Sequence, residues 1–137
     1  MDRAEALDRL GASRTGHLAT VRPDGRPHVV VTTFAIDGDA IVTAVDHKPK
    51  RSARLQRLAN VEANPMASFL VDGYEEDWSR LWWVRVDGPA VIHGDGEHHA
   101  SAVDALTAKY QQYATTPPTG PVIALTLAEV SFWSSRP

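Results

Sequence analysis

Hydrophobic and polar positions in the first third of the chain predict one helix followed by three strands. Residues 2–10 place Ala6, Leu7 and Leu10 at helical spacing, and Gly11 can end that helix. Residues 17–21, 28–36 and 40–45 are rich in β-branched side chains, which is typical of strands. Asp-Gly pairs at 24–25 and 37–38 provide tight turns between them. We therefore expect an antiparallel meander.

The rest of the chain alternates helical and extended patterns. Residues 55–63 carry a narrow apolar stripe and predict a helix that stops before Asn64 and Pro65, and residues 97–113 predict a second helix. Residues 66–71, 81–92, 121–127 and 130–133 predict strands. Gly88 and Pro89 interrupt the longest of these, so we expect a bulge or bend there. Five or six antiparallel strands in one domain of 137 residues close most economically as a small barrel, crossed by one helix between strands three and four.

Composition narrows the classes of function. The formal net charge is −3 and no cysteine is present, which argues against general attraction to nucleic acid and excludes disulfides, thiolate metal sites and a cysteine nucleophile. No apolar run reaches membrane-spanning length, and residues 1–11 do not resemble a signal peptide. We expect a cytoplasmic protein that binds neither membrane nor nucleic acid.

One basic segment stands out in this acidic chain. No acidic residue lies between Asp46 and Glu62. Pro49 suits a first helical turn, where the helix dipole is positive, so the segment predicts an anion site, with phosphate the favoured anion. A solvated helix face is the alternative interpretation. The basic residues are Lys48, Lys50, Arg51, Arg54 and Arg57.

Several short motifs, in order and at matching spacing, resemble the pyridoxamine 5′-phosphate oxidase-like split-barrel superfamily. They cover nearly the whole chain, and within the superfamily the similarity is greatest to the probable deazaflavin (coenzyme F420)-dependent oxidoreductases of actinobacteria. The resemblance implies a six-stranded antiparallel split barrel with helices that forms a homodimer, with cofactor sites at the subunit interface. The motifs are Gly16–Val21, residues 24–28, the strand to Phe34, the basic segment, Asn64-Pro65 and residues 84–88.

The resemblance also assigns cofactor-binding residues. The family's cationic phosphate-binding position, eight residues before Pro65, falls on Arg57, where the family more often has lysine. Because this chain has extra residues before Asn64, Lys48, Lys50 or Arg51 is an alternative holder of the phosphate. The part of the family that runs beside the ring is matched by Thr32, Thr33, Thr43 and Ala44. Trp133 matches an aromatic position that can approach the partner subunit's site.

The function implied is hydride transfer between coenzyme F420 and a small organic acceptor. FMN is the alternative cofactor, and a split barrel that binds a cofactor without catalysis is the other alternative. The basic segment favours the deazaflavin, whose polyglutamate tail adds carboxylates beyond its phosphate. No Ser-His-Asp, paired-carboxylate or phosphate-loop pattern demands a catalytic side chain, so none is assigned.

Three further groups of residues have less specific interpretations. Residues 95–99 combine histidines and carboxylates, but consecutive helical residues point apart, so we predict a helix start and no metal site. His28 is interpreted as structural, with substrate contact as the alternative. Trp78, Trp82 and Trp83 predict core or dimer packing, with the wall of an acceptor pocket as the alternative.

Overall fold

A computed structural model describes residues 1–45 and 51–136, with only the backbone described for residues 51–55. A 3₁₀ turn at Trp78–Arg80 precedes the longest strand. The helices are α1 (Arg3–Ala12), α2 (Arg51–Ala63), α3 (Gly96–Lys109) and α4 (Gln111–Thr115). The strands are β1 (Gly16–Val21), β2 (Pro27–Thr32), β3 (Ala35–Asp37), β4 (Ala40–Ala44), β5 (Met66–Gly73), β6 (Trp82–His93), β7 (Val122–Thr126) and β8 (Glu129–Ser134).

All strand pairs are antiparallel, and β6 joins two halves of the sheet. The order is β2-β1-β5-β6-β7-β4-β3, and β8 pairs with the free side of β6. Residues 82–89 of β6 pair with β5 and residues 82–87 pair with β8, whereas residues 90–93 pair with β7. The change of partner falls at Gly88 and Pro89, the two residues at which the sequence predicts an interruption of the strand.

The described residues form eight strands, so the expected count of six is wrong. The run from 28 to 36 is split at Thr33 and Phe34 into β2 and β3. At the split, the backbone N–H of Phe34 donates to the hydroxyl of Tyr110 over 3.0 Å instead of to a neighbouring strand. The two C-terminal extended segments are also separate strands with different partners, because β7 pairs with β4 and β6 while β8 pairs only with β6 among the described strands.

The main core lies between the inner face of the sheet and the helices. Phe34 and Phe69 are fully buried, with ring centroids 4.6 Å apart. A Cβ at Gly16 would lie 2.2 Å from the Phe69 ring, so only glycine leaves room for that ring. Helix α1 packs on β6 and β8, α2 on β1 and β6, and α3 on β3 and β4. Within the described residues, no helix has the length and hydrophobicity to cross a bilayer.

The helix boundaries differ from the sequence expectation in two places. Helix α1 continues through Gly11 to Ala12, and its end is capped by the backbone N–H of Ser13. The expected single helix over 97–113 is divided at Tyr110, whose backbone is extended. This division places Tyr110 and Tyr113 on different elements beside β2.

Candidate functional site

A cavity of about 350 Å³ lies where β2, β4, α2 and the junction of α3 with α4 meet. Five residues predicted to bind the cofactor line it together: Thr32, Thr33, Thr43, Ala44 and Arg57. Val31, Tyr110, Gln112 and Tyr113 complete the lining. The described residues of the lining therefore combine a cation, several hydroxyls and apolar walls, a mixture typical of small-molecule sites.

Arg57 is oriented by the anchoring of α2 to β1. Asn60, one turn further along the helix, is fully buried and donates from its amide to the Thr20 hydroxyl over 3.0 Å. Gln56 donates to the amide oxygen of Asn60 over 2.7 Å, and the Asn64 side chain reaches the carbonyl of Val21 at 3.2 Å. Because residues three apart share a helix face, these bonds direct Arg57 towards the strands that form the cavity.

Hydroxyl groups from three elements form one side of the cavity. Thr43 donates to the carbonyl of Thr33 over 2.8 Å, which ties β4 to the end of β2. The hydroxyls of Thr33 and Tyr113 are 3.0 Å apart, and either can donate. The Thr32 hydroxyl is buried and has no hydrogen-bond partner among the described residues. A buried hydroxyl without a partner is costly, so a ligand that bonds to Thr32 would recover that loss.

Tyr110 differs from its neighbour because its hydroxyl is already committed to the backbone. The hydroxyl lies 2.7 Å from the carbonyl oxygen of Arg14 and 2.8 Å from that of Phe34, and it accepts from the Phe34 N–H. Burial raises the pKa of Tyr110 above its ordinary value. Tyr110 therefore stays neutral and structural, whereas the Tyr113 hydroxyl has bonding capacity left for a ligand.

A half-buried amine lies behind Tyr110. The ammonium of Lys109 donates to the carbonyl of Ser13 over 2.7 Å and lies 3.8 Å from the centroid of the Phe34 ring. Burial, together with the charge of nearby Arg14, lowers the pKa of Lys109 to about 8. Lys109 does not line the cavity itself, but it lies against Tyr110, which does, and it loses its charge more easily than an exposed lysine.

His28 lies on the same inner face of β2 as Thr32. Burial lowers the pKa of His28, and the positive charges of Arg22 and Arg57 lower it further. Its Nδ1 is buried and has no hydrogen-bond partner in the described part of the chain. The influence of Arg57 on His28 shows that the cation and this face of β2 belong to one electrostatic neighbourhood.

Comparison with known proteins decides the family. The family model for pyridoxamine 5′-phosphate oxidase matches residues 3–134. The chain belongs to this family. No curated protein sequence matches it.

Solved structures similar to this family member show the same fold. A conserved hypothetical protein, Rv2991 from Mycobacterium tuberculosis, aligns with a TM-score of 0.80 at 23% identity, over 99% of this chain and 86% of that one. HutZ, a heme storage protein from Vibrio cholerae, aligns at 0.73 and 17%, over 96% and 93%. An FAD-binding protein from Mesorhizobium loti aligns at 0.73 and 22%, over 96% and 94%. The fold therefore occurs in proteins with different ligands.

The other four predicted binding residues are not among the described residues that line the cavity. Three of them lie wholly or in part outside the described residues, and the fourth lies on β8. Lys48 and Lys50 lie outside the described residues, as does the side chain of Arg51. Trp133 lies on β8, opposite Trp83 and 46% exposed. Its predicted role concerns the site of a partner subunit, and that role of its exposed side chain stays a prediction.

The histidine and tryptophan groups occupy other parts of the molecule. The described residues contain no group of three or more histidine, aspartate or glutamate side chains arranged to hold a metal ion. The rings of His93 and His98 stack with centroids 4.9 Å apart. Trp82 packs against the main core, whereas Trp78 is exposed, and neither lines the cavity described above.

Sequence reasoning missed the three residues from the α3–α4 junction. The single helix predicted over residues 97–113 includes Tyr110, Gln112 and Tyr113, but the sequence pattern assigns none of them to a site. A sequence signal does exist, because two tyrosines three apart precede a Thr-Thr-Pro-Pro loop that must end any helix. Two aromatic side chains at the end of a helix can form the wall of a site beside that end.

Proposed function

We propose that this protein is an oxidoreductase that binds a phosphorylated redox-ring cofactor in the 350 Å³ cavity and acts on a small organic acceptor. The observation that carries the proposal is the buried hydroxyl of Thr32, which has no partner within the described part of the chain and lies in a cavity that also contains the guanidinium of Arg57. A buried polar group is rarely left in that state, so water or a ligand completes its hydrogen bonding, and a ligand in this cavity can do so.

The residues present fit such a cofactor. Arg57 would hold the phosphate, since a guanidinium can bind two phosphate oxygens at once. Thr32 and Thr33 would bond to the polar edge of the ring, and Ala44 with Val31 would contact its apolar part. When bound, the cofactor supplies the two-electron chemistry, and the protein supplies binding, orientation and exclusion of water.

Coenzyme F420, a deazaflavin, is the cofactor we propose, with FMN as the alternative. The basic residues Lys48, Lys50 and Arg51 precede Arg57 in the sequence and suit the additional carboxylates of a polyglutamate tail. Family membership supports flavin-type cofactors in general.

We further propose that the binding unit is a homodimer. Val31 lines the cavity yet is 62% exposed at the end of β2. Its strand neighbour Val29 is 60% exposed, and Leu70 continues the same outward face on β5 through His17. A second copy seated on this face would cover these side chains and close the cavity beside Val31.

Cofactor titration tests the proposal, with Arg57→Gln as the decisive variant. Loss of a charge-assisted bond to phosphate should weaken binding at least about tenfold. Arg26→Gln is the matched control, because Arg26 is exposed and pairs with Asp24 in the β1–β2 turn. Isothermal titration of both variants and the wild type with F420 and with FMN measures the effect.

The outcomes separate the alternatives. Uptake of FMN without F420 would replace the proposed cofactor. Tight binding of the reduced coenzyme without its oxidation by any of a broad panel of enones and quinones would favour a binding protein. Equal affinity in Arg57→Gln and the wild type would overturn the assignment of the phosphate to Arg57.

A further inference from the structure

Three arginines from distant parts of the chain converge at one end of the sheet, away from the first cavity. Arg9 comes from α1, Arg80 from the 3₁₀ turn, and Arg136 from the residues after β8. All three line two adjoining cavities of about 210 and 360 Å³, which share no lining residue with the first cavity. We call the two cavities together the arginine groove.

Arg9 is the least satisfied of the three. It is half-buried, and its guanidinium lies 5.1 Å from the centroid of the Trp82 ring, which forms part of the groove wall. Over the described ranges 1–45 and 51–136, its side chain has no ion pair within 4.0 Å and no hydrogen bond to protein. A guanidinium presents five N–H donors, so an acceptor for Arg9 must come from solvent or a ligand.

Arg136 is held in place by the 3₁₀ turn. Its Nε donates to the carbonyl of Ser79 over 3.1 Å, and its Nη2 approaches the Ser79 hydroxyl at 3.4 Å. The carboxylate of Asp77 in turn accepts from the backbone N–H of Ser79 at 3.0 Å and from its hydroxyl at 2.6 Å. These bonds from Ser79 lower the pKa of Asp77, so the capping carboxylate stays ionised. The bond to the rigid turn uses part of the Arg136 fork and leaves the rest of it facing the groove.

Two carboxylates share the arginine groove with the arginines. Glu75 pairs with Arg80 at 3.0 Å, and Glu5 lines the smaller cavity. Both members of the Glu75–Arg80 pair are about half exposed, and exposed pairs of this kind contribute little. An incoming anion can therefore replace Glu75 on Arg80 at small cost. Among the described lining residues, guanidinium groups outnumber carboxylates by three to two, and the ionised carboxylate of Asp77 lies nearby, where the charges of Arg136 and Arg80 help to lower its pKa.

We propose that the arginine groove binds the phosphoryl group of an anionic ligand, independently of the cofactor cavity. A planar guanidinium can donate to two phosphate oxygens at once. The guanidinium groups of Arg9 and Arg136, which come from separate parts of the chain, suit a ligand with more than one negative charge. The indole of Trp82 stands at the wall, where it can contact the part of the ligand next to the phosphate. The groove lies on the inner face of β6, because Trp82 alternates with the outward-facing Trp83.

Pyrophosphate is the probe for a test by nuclear magnetic resonance. The indole N–H signal of Trp82, assigned with Trp82→Phe, should shift and saturate on titration at constant ionic strength. Arg9→Gln and Arg136→Gln should each raise the pyrophosphate concentration at the midpoint of the titration at least about tenfold. Arg3→Gln is the matched control, because Arg3 lies on the exposed side of the same helix and outside the groove.

Two results would overturn the proposal. One is a shift that grows without saturating, as in general salt effects, and the other is equal weakening in Arg3→Gln and Arg9→Gln. Circular dichroism of each variant checks that the fold is intact, and Arg136→Gln, at an exposed position, gives an independent reading should Arg9→Gln unfold. Arg57→Gln should leave the Trp82 titration unchanged, which separates this site from failure of the proposed cofactor site.

Discussion

At the scale of single residues, two tyrosines three positions apart have opposite roles. Tyr110 is 9% exposed, and its hydroxyl joins the backbone of residue 14 to that of residue 34. Tyr113 lines the same cavity, but over residues 1–45 and 56–136 its hydroxyl has one hydrogen-bond partner, the side chain of Thr33. Tyr110 therefore fixes part of the cavity wall, whereas the hydroxyl of Tyr113 can also bond to a ligand.

This difference predicts unequal costs for removing the two hydroxyls. Tyr110→Phe leaves the buried N–H of Phe34 and two carbonyls short of a partner, so the free energy of unfolding should fall by about 1–3 kcal/mol. Tyr113→Phe should lower the free energy of unfolding by less than about 1 kcal/mol. The hydroxyl that loses its partner belongs to Thr33, which is only partly buried and can bond to water instead. Urea unfolding of both variants measures the difference, and an equal loss in the two would contradict this division of roles.

Family resemblance singled out residues that lie close together in the structure, and their role in cofactor binding stays a prediction. Arg57 and the strand positions Thr32, Thr33, Thr43 and Ala44 do meet in one cavity. Tyr113 was missed because its bond to Thr33 spans 80 positions, and no local pattern reports such a distant contact. Trp133 was placed correctly on a strand, but whether it approaches a site depends on a partner chain.

At the scale of elements, the sequence predicted where strands and helices lie better than where they break. β-Branched density over 28–36 predicts a single strand, yet the hydroxyl of Tyr110 captures the N–H of Phe34 and ends the pairing there. The same tyrosine divides α3 from α4. Tyr110 therefore stands at both breaks, and at the first of them its tertiary hydrogen bond competes with strand pairing.

The passage of β6 from its pairing with β5 to its pairing with β7 depends on a close approach that only glycine permits. A Cβ at Gly88 would lie 2.3 Å from the backbone carbonyl oxygen of Thr126, which cannot move as a flexible side chain could. Gly88→Ala should therefore lower the free energy of unfolding by about 1–3 kcal/mol. Thermal or urea unfolding measures the loss.

Gly94 provides the matched control for Gly88. It follows β6 directly, and a Cβ there would meet no atom within 4 Å. Gly94→Ala should change stability by less than about 0.5 kcal/mol. A neutral Gly88→Ala variant would show that the two halves of the sheet can move apart at low cost.

At the scale of the whole molecule, the outward face of β1, β2, β5, β6 and β8 combines apolar side chains with a central charged group. Arg85 donates to the carboxylate of Asp87 over 2.9 Å, and Ser68 donates to the other oxygen of the same carboxylate. Leu70 lies opposite Arg85 on β5, and Val29 lies on β2, two strands beyond Ser68. An apolar face with a fixed polar centre suits contact with an identical face, because a twofold axis places like residues opposite each other.

Charge placed on this face should therefore prevent the proposed homodimer. Val29→Lys combined with Leu70→Lys should give a monomer by size-exclusion chromatography with light scattering, and cofactor affinity should fall with it. Val91→Lys is the control, because Val91 is 49% exposed on the other half of the sheet. A monomeric wild type, or dissociation by Val91→Lys as well, would contradict the assignment of this face.

Strand β6 belongs to both halves of the sheet, and this has a consequence for local opening. Its residues up to 89 carry the ladder to β5, and its residues from 90 carry the ladder to β7. Neither ladder can open far without pulling on the same strand, so the two halves should behave as one cooperative unit. Amide protons deep in β5 and in β7 should then exchange with solvent through a single shared event, at the rate set by global unfolding.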